Sequence, residues 1–195
     1  LIDIENNIIS NIEHNLKILE DGQGGLLDIL YKDDFIYVSY SENRGQGKTS
    51  TSIAKGKFDK KKIILGNGSD ELISIITQAF LEPTDEAIYT EFGFLQFPQA
   101  ISVAGAKGVV AKDVNFTANV DNILSNINKK TKVVFLANAN NPTGTFISKE
   151  EVIRLHKSIP SNILLVYDAA YSEYINNNDY IDGSSLVDNY ENVIM

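Results

Sequence analysis

The sequence predicts an α/β fold in which helices flank a mostly parallel sheet. From residue 60 onward, short apolar runs rich in Val, Ile and Leu alternate with stretches of helical periodicity. This alternation is typical of βαβ units, because two parallel strands need a crossover of helix length between them. With 195 residues, of which 43% are hydrophobic, the chain is long enough to bury a core around such a sheet.

The expected strands of this sheet are five apolar runs, which are residues 62–65, 86–90, 107–111, 132–137 and 163–168. The expected helices between them cover residues 69–81, 94–104, 119–127 and 148–158. The last of these opens with Ser148-Lys149-Glu150-Glu151, a capping-box pattern.

The region before residue 60 has a different texture. Ile and Leu at helical spacing predict an amphipathic helix over residues 1–20. The run FIYVSY predicts a short strand at 35–40, and SENRGQGKTS predicts a polar loop at 41–50.

Composition excludes several functions. The chain has no Cys, which removes disulfides, thiolate catalysis and Cys-ligated zinc, and its two histidines, His14 and His156, are far apart in sequence. A formal charge of −9 disfavours binding to nucleic acid or to anionic membranes. There is no apolar run of about eighteen residues to span a membrane, and the opening LIDIENNIISN lacks the features of a signal peptide. We therefore expect a cytoplasmic protein without a metal site.

The segment Gly66–Glu71 is the first candidate for a binding role. It follows an apolar run and opens a predicted helix, and free N–H groups at a helix start favour a phosphate. Ser69 could add a hydroxyl donor. The alternative is that Ser69 is only an N-cap, with Asp70 and Glu71 stabilising the start of the helix.

Two further candidates follow predicted strands, where ligands bind in open α/β sheets. The loop Asn138–Gly144 contains an Asn-Pro bond that is a candidate for the cis form. An ordinary turn is the alternative for this loop. Asp168 closes the run ILLVY, and its carboxylate needs a partner there, because burying an unpaired charge is costly. A ligand cation, a metal or a buried Lys or Arg would supply that partner, and Tyr171 could join the same pocket.

A competing interpretation uses residues 44–50, RGQGKTS, which resemble the tail of a nucleotide-binding P-loop. The first glycine of that motif is missing, because Glu42 occupies its position. The helix that must follow, over residues 51–57, would also be short.

Four segments, taken in order, resemble the fold-type-I aminotransferases that use pyridoxal phosphate, and histidinol-phosphate aminotransferases in particular. They are LGNGSDELI, DEAIYTEFGFLQFP, FLANANNPTGT and LLVYDAAYSEY. The resemblance implies an incomplete large domain of this fold, preceded by a helical N-terminal segment. We accordingly divide the chain into a segment of helix and irregular structure, 1–45, and a partial cofactor-binding domain, 46–195.

The resemblance also implies residues that hold the phosphate and the ring of the cofactor. Gly68, Ser69 and Asp70 would bind the phosphate through backbone and hydroxyl groups. Phe94 would stack on the pyridine ring, although ordinary core packing at a helix start is the alternative for this side chain.

The polar groups of the ring are matched by three further residues. Asn141 and Tyr171 would reach the ring hydroxyl, and Asp168 would pair with the protonated ring nitrogen. A neighbouring carboxylate raises the pKa of that nitrogen and keeps it protonated, which makes the ring a better electron sink.

Residues that complete the family's chemistry are missing from this sequence. The family's Schiff-base lysine lies in a Ser-Lys motif after the segment corresponding to residues 191–195, so no lysine here can be assigned its role. The substrate-binding arginine and the small domain follow later still. Near the front, the chain passes from Gly47 to TSIAKGKFDKKK, where the family has an arm that reaches the partner subunit's cofactor.

We therefore expect an aminotransferase-like protein whose ancestral reaction moves an amino group between histidinol phosphate, or a related donor, and 2-oxoglutarate. The chain by itself is expected to be inactive, as a fragment or as the product of a decayed gene; the internal gap favours decay. A non-catalytic protein that binds pyridoxal phosphate, or another phosphate or partner, is the alternative. The family is dimeric, which makes a homodimer the candidate assembly.

Overall fold

The structure, a computed structural model, describes residues 64, 66 and 68–195, together with the backbone of residues 26–32, 35–43 and 49–57. The chain divides into two compact units, Leu1–Leu65 and Gly66–Met195. The predicted helix over residues 1–20 lies outside the described residues, as does most of the predicted strand at 62–65. The predicted division after residue 45 stays a prediction.

The first unit contains a three-stranded antiparallel sheet in the order β1-β2-β3. Its strands are β1 (Leu26–Lys32), β2 (Phe35–Asn43) and β3 (Thr49–Lys57). The strand predicted at 35–40 is confirmed, but the polar loop predicted at 41–50 is wrong at both ends. Asn43 pairs with Thr49 in the β2–β3 ladder. The hydrogen bonds of this ladder join backbone groups, so polar residues can form it as well. A strand made of polar residues shows no apolar alternation, and the sequence pattern therefore does not predict it.

The strand β3 also decides against the P-loop interpretation. A P-loop requires a helix directly after its Lys-Thr pair, because the helix N-terminus holds the phosphates. Thr49–Lys57 is instead a strand paired along its whole length with β2. The P-loop prediction is therefore wrong.

The second unit is a parallel sheet in the order β5-β4-β6-β7-β8, which confirms the predicted α/β fold. Its strands are β4 (Glu86–Thr90), β5 (Lys107–Ala111), β6 (Thr131–Ala137), β7 (Leu164–Asp168) and β8 (Val193–Ile194). Its α-helices are α1 (Gly68–Phe80), α2 (Gln96–Val103), α3 (Val120–Ser125), α4 (Lys149–Ser158) and α5 (Ser184–Asn189).

The four predicted helices are confirmed, and α4 has the expected N-cap, since the Ser148 hydroxyl accepts the N–H of Glu151 at 3.3 Å. The sequence prediction missed α5, the two-residue strand β8 and a 3₁₀ turn at Ser172–Tyr174. These elements are too short to produce a periodic pattern. Within the described ranges, no helix combines the length and the apolar character that a membrane crossing requires.

The two faces of the sheet bury separate apolar clusters. Successive side chains of a strand point to opposite faces, and β6 follows this rule. Val133 and Phe135 join the cluster beneath α1 and α2, whereas Val134 and Leu136 join the cluster beneath α3, α4 and α5. Because helices cover both faces, the open ends of the strands are where the second unit can hold a ligand.

A glycine is required where the chain enters α5. Gly183 has φ +89°, and a Cβ at this position would lie 2.6 Å from Cδ1 of the buried Tyr167. Gly105 has a similar φ of +77°, but a Cβ there would meet only ordinary contacts at 3.8 Å from Pro83. Both glycines have a positive φ that a residue with a Cβ rarely adopts. Only at Gly183 would the Cβ also collide with a neighbouring side chain.

This pair gives a matched prediction. Gly105→Ala is expected to lower the free energy of unfolding by about 1–3 kcal/mol through backbone strain. Gly183→Ala is expected to lower it by at least about 1 kcal/mol more, because the Tyr167 ring must also move. Chemical denaturation followed by circular dichroism measures both. Equal losses in the two variants would contradict the packing argument.

Candidate functional site

A pocket opens at the carboxyl ends of β6 and β7. It is lined by Ser69, Phe94, Ala137, Ala139, Asn141, Asp168, Ala170 and Tyr171. The loops after β6 and β7 leave the same edge because the strands are parallel, with Ala137 paired to Asp168. The pocket thus brings together most of the residues that the sequence singled out, in the expected place.

The loop 138–147 carries Asn141 into the pocket and is held by its own asparagines. The Asn138 side chain pairs with both backbone groups of Ile147: Oδ1 accepts the N–H at 2.8 Å, and Nδ2 donates to the carbonyl at 3.3 Å. Nδ2 of Asn140 donates to the Phe92 carbonyl at 2.9 Å. The Asn141–Pro142 bond is cis, and so is the Asn138–Ala139 bond. The side-chain bonds of Asn138 and Asn140 make this loop more than an ordinary turn.

Asn141 and Tyr171 meet at the pocket. Nδ2 of Asn141 lies 3.4 Å from the Tyr171 hydroxyl, although the two residues come from different loops. An amide donor and a phenol at this spacing can both bond to one ligand oxygen placed between them. Tyr171 is 42% exposed, so its hydroxyl is accessible to such a ligand.

Asp168 is a partly buried carboxylate that no described cation pairs with. Its Oδ1 accepts the N–H of Ala170 at 3.0 Å, and no ion pair within residues 68–195 includes it. Burial raises the pKa of the Asp168 carboxyl, the Ala170 hydrogen bond partly offsets the rise, and the negative charge of Asp70 adds to it. Of the partners that the sequence left open, no Lys or Arg among residues 68–195 forms an ion pair with Asp168, and a ligand cation fits.

The start of α1 supplies Ser69 to the pocket. The helix begins at Gly68, which has φ +76°, so Ser69 lies inside the first turn and does not precede it. The Ser69 hydroxyl therefore does not serve as the N-cap of this helix. Gly68 and Asp70 flank Ser69 and do not themselves line the pocket. Asp70 is close enough to Asp168 for its negative charge to raise the pKa of the Asp168 carboxyl.

Phe94 lies at the border between the pocket and the core. It lines the pocket, and it also packs at the margin of the cluster beneath α2, with its ring edge-on to Phe97 at a centroid distance of 5.9 Å. Phe97 in turn stacks on Phe135 of β6 at 4.8 Å. The ring that faces the pocket is thus supported by the core.

Sequence reasoning missed the residues that hold the site together. Ala137, Ala139 and Ala170 line the pocket, and their small side chains carry no chemical signal. Tyr180 bonds to the main chain of Asn138 from 42 residues further along the chain, a distance at which no local pattern exists. The asparagine-rich motif at 138–144 is the local sequence signal that indicates an ordered loop here.

Comparison with known proteins identifies the class of protein to which this fold and pocket belong. Residues 37–195 match the model of the family described as aminotransferase class I and II. That match covers most of the chain, and the chain therefore belongs to the aminotransferase class I and II family. Pyridoxal phosphate is the cofactor of that family.

Among individual relatives, the chain is similar to histidinol-phosphate aminotransferases. It is 40% identical over 167 residues to that of Pelagibacter ubique (strain HTCC1062), covering 86% of this chain and 46% of the relative. It is 47% identical over 138 residues to that of Rhodopseudomonas palustris (strain BisB5), covering 71% of this chain and 38% of the relative. The chain thus spans less than half the length of these curated relatives.

Solved structures agree on the fold. The histidinol-phosphate aminotransferase of Sinorhizobium meliloti in complex with pyridoxal-5'-phosphate has a TM-score of 0.64 and 24% identity, over 70% of this chain and 37% of that one. A Thermus thermophilus aspartate aminotransferase mutant has a TM-score of 0.54 and 26% identity, over 60% of this chain and 33% of that one. The predicted fold type, that of the fold-type-I aminotransferases, is confirmed.

The charge of Asp168 gives a prediction about stability. A carboxyl whose pKa is raised by folding destabilises the fold increasingly as pH rises through that pKa. Asp168→Asn removes this charge, so the ligand-free variant is expected to melt at a higher temperature than the wild type at pH 7. The difference should disappear at about pH 3, below the ordinary pKa of Asp.

Thermal melts of both proteins across this pH range measure the effect. Asp179→Asn, at an exposed position outside the pocket, is the control and should leave the melting temperature nearly unchanged. A loss of stability in Asp168→Asn at pH 7 would mean that the carboxylate is already paired in the folded chain.

Proposed function

We propose that residues 66–195 form a pyridoxal-phosphate-binding part of an aminotransferase that acts on histidinol phosphate or a related amino donor, with 2-oxoglutarate as acceptor. The observation that carries the proposal is the pocket in which Ser69, Phe94, Asn141, Asp168 and Tyr171 converge. The family membership supports the cofactor, and the names of the relatives support the donor.

The charged group of the pocket fits the ring nitrogen of the cofactor. Asp168 is partly buried and lacks a cation within the described residues, and a protonated ring nitrogen would supply one. In return, the carboxylate would hold the proton on that nitrogen, because it stabilises the charged form of the ring. Bound pyridoxal phosphate supplies an electron sink for the electron pair that remains when the substrate loses a proton.

The uncharged groups fit the rest of the cofactor. Asn141 and Tyr171 would orient the ring by bonding to its hydroxyl oxygen, and Phe94, which also lines the pocket, would stack on the ring. Ser69, in the first turn of α1, offers a hydroxyl and lies where backbone N–H groups favour a phosphate.

We also propose that the 195-residue chain binds the cofactor without turning over substrate. No lysine is among the residues that line the described pocket, and transamination needs an amine there to shuttle the proton. A second copy of the chain is the candidate partner by analogy with the dimeric family.

The binding proposal is tested by titrating the 195-residue chain with pyridoxine 5'-phosphate, which lacks the aldehyde and so cannot react with surface amines. We expect saturable binding, measured by equilibrium dialysis. Asp168→Ala is expected to weaken it at least about tenfold, the range for a lost charge-assisted hydrogen bond. Asp179→Ala, a change at an exposed carboxylate outside the pocket, should leave the affinity unchanged.

Equal affinities of the wild type and Asp168→Ala would overturn the assignment of Asp168 to the ring nitrogen.

The proposal that the chain is inactive alone has a separate test. The chain is incubated with pyridoxal phosphate, reduced with borohydride and weighed by intact mass spectrometry. We expect the mass of 21.6 kDa without a stoichiometric increment at one site. Formation of glutamate from histidinol phosphate and 2-oxoglutarate by the 195-residue chain would contradict the proposal that this chain is inactive alone.

A further inference from the structure

The side chain of Tyr180 contacts both arms of the loop 138–147. Its hydroxyl donates to the main-chain carbonyl of Asn138, at the start of the loop, with a separation of 2.6 Å. Its ring meets Phe146, near the end of the loop, edge-on at a centroid distance of 5.7 Å. One side chain from a distant part of the sequence therefore closes the loop.

The segment that carries Tyr180 is itself anchored. The carbonyl of Asp179 accepts the N–H of Lys149, at the start of α4, at 2.6 Å. The buried Tyr167 of β7 donates its hydroxyl to the carbonyl of Ile181. Burial raises the pKa of the Tyr180 phenol, so its hydroxyl remains a donor at neutral pH. The segment 179–181 thus joins the loop to α4 and β7.

The bonded carbonyl lies at the point where the chain passes from β6 into the pocket. Ala137 and Ala139, on either side of Asn138, both line the pocket. The side chain of Asn138 spans to the far arm at Ile147 and also donates to the Tyr167 hydroxyl at 2.8 Å. Displacement of this residue would therefore move the base of the loop whose tip carries Asn141.

We propose that Tyr180 is a positioning residue, which closes the loop 138–147 and so holds Asn141 opposite Tyr171 at the pocket. The proposal rests on the proposed function only where it concerns the cofactor. The closure itself is a property of the ligand-free chain and can be tested without a ligand.

The first test is amide hydrogen exchange on the ligand-free 195-residue chain. The loop amides of Asn140, Gly144 and Ile147 bond to acceptors within the loop, at 2.8–2.9 Å. Tyr180→Phe keeps the ring and removes only the hydroxyl. It is expected to speed exchange at these amides about fivefold, as loss of one hydrogen bond does, while the Lys107 amide, in the distant β5, exchanges at its wild-type rate.

Tyr190→Phe is the matched control, because it removes a phenol whose ring packs on His156 and not on the loop. It should leave the loop amides unchanged. Wild-type exchange of the loop in Tyr180→Phe would overturn the proposal. A uniform increase that includes Lys107 would also overturn it, since Tyr180 would then stabilise the whole unit without positioning the loop.

Phe146→Leu tests the same closure and leaves the Tyr180 hydroxyl in place, so it is used if Tyr180→Phe does not fold. Loop amides that exchange at the wild-type rate in Phe146→Leu would overturn the closure.

The second test is a double-mutant cycle on the affinity for pyridoxine 5'-phosphate, with Tyr180→Phe, Asn141→Ala and the combined variant. If Tyr180 acts through Asn141, Tyr180→Phe weakens binding about fivefold in the wild type and hardly at all beside Asn141→Ala. The same loss in both backgrounds would overturn positioning through Asn141. Absence of binding to the wild type would instead refute the proposed function, and the exchange experiment would still decide the closure.

Discussion

The parallel pairing of β6 and β7 is the constraint on which the pocket depends. Because Ala137 and Asp168 are paired at the ends of these strands, the loops that follow must leave the sheet side by side. This pairing brings the loops of Asn141 and Tyr171 together, and the two side chains meet at 3.4 Å. The apolar clusters on both faces hold the two strands in register, since a slip by one residue would turn every core side chain to the wrong face.

Within this frame, the pocket combines a stabilised loop with a destabilised charge. Asparagine side chains hold the loop 138–147: that of Asn138 takes the place of a backbone partner for Ile147, and that of Asn140 donates to the Phe92 carbonyl. Asp168 instead keeps a carboxylate partly buried, with one N–H bond and no cation within the described residues. A folded chain tolerates such a charge at a cost, and a cationic ligand removes that cost. This contrast is typical of sites that bind a charged ligand.

The predicted fold and the pocket residues had different sources in the sequence. Apolar periodicity placed the strands at 86–90 and 107–111 with the bounds that the structure has. It failed at Thr49–Lys57, where polar residues pair through the backbone and leave no apolar pattern. For the pocket, single motifs left alternatives open, and their order along the chain produced the resemblance that the family match confirms.

The sequence by itself determined the class of fold, the family and the residue types that the pocket would contain, because these depend on local periodicity and on motifs of a few residues. Only the tertiary structure decided that Asp168 has no described protein cation beside it, that Ser69 lies within the first turn of α1, and that Tyr180 bonds to Asn138 across 42 residues. Such contacts join residues from separate elements. They are set by how strands and loops pack, for which the order of residues along the chain carries no direct signal.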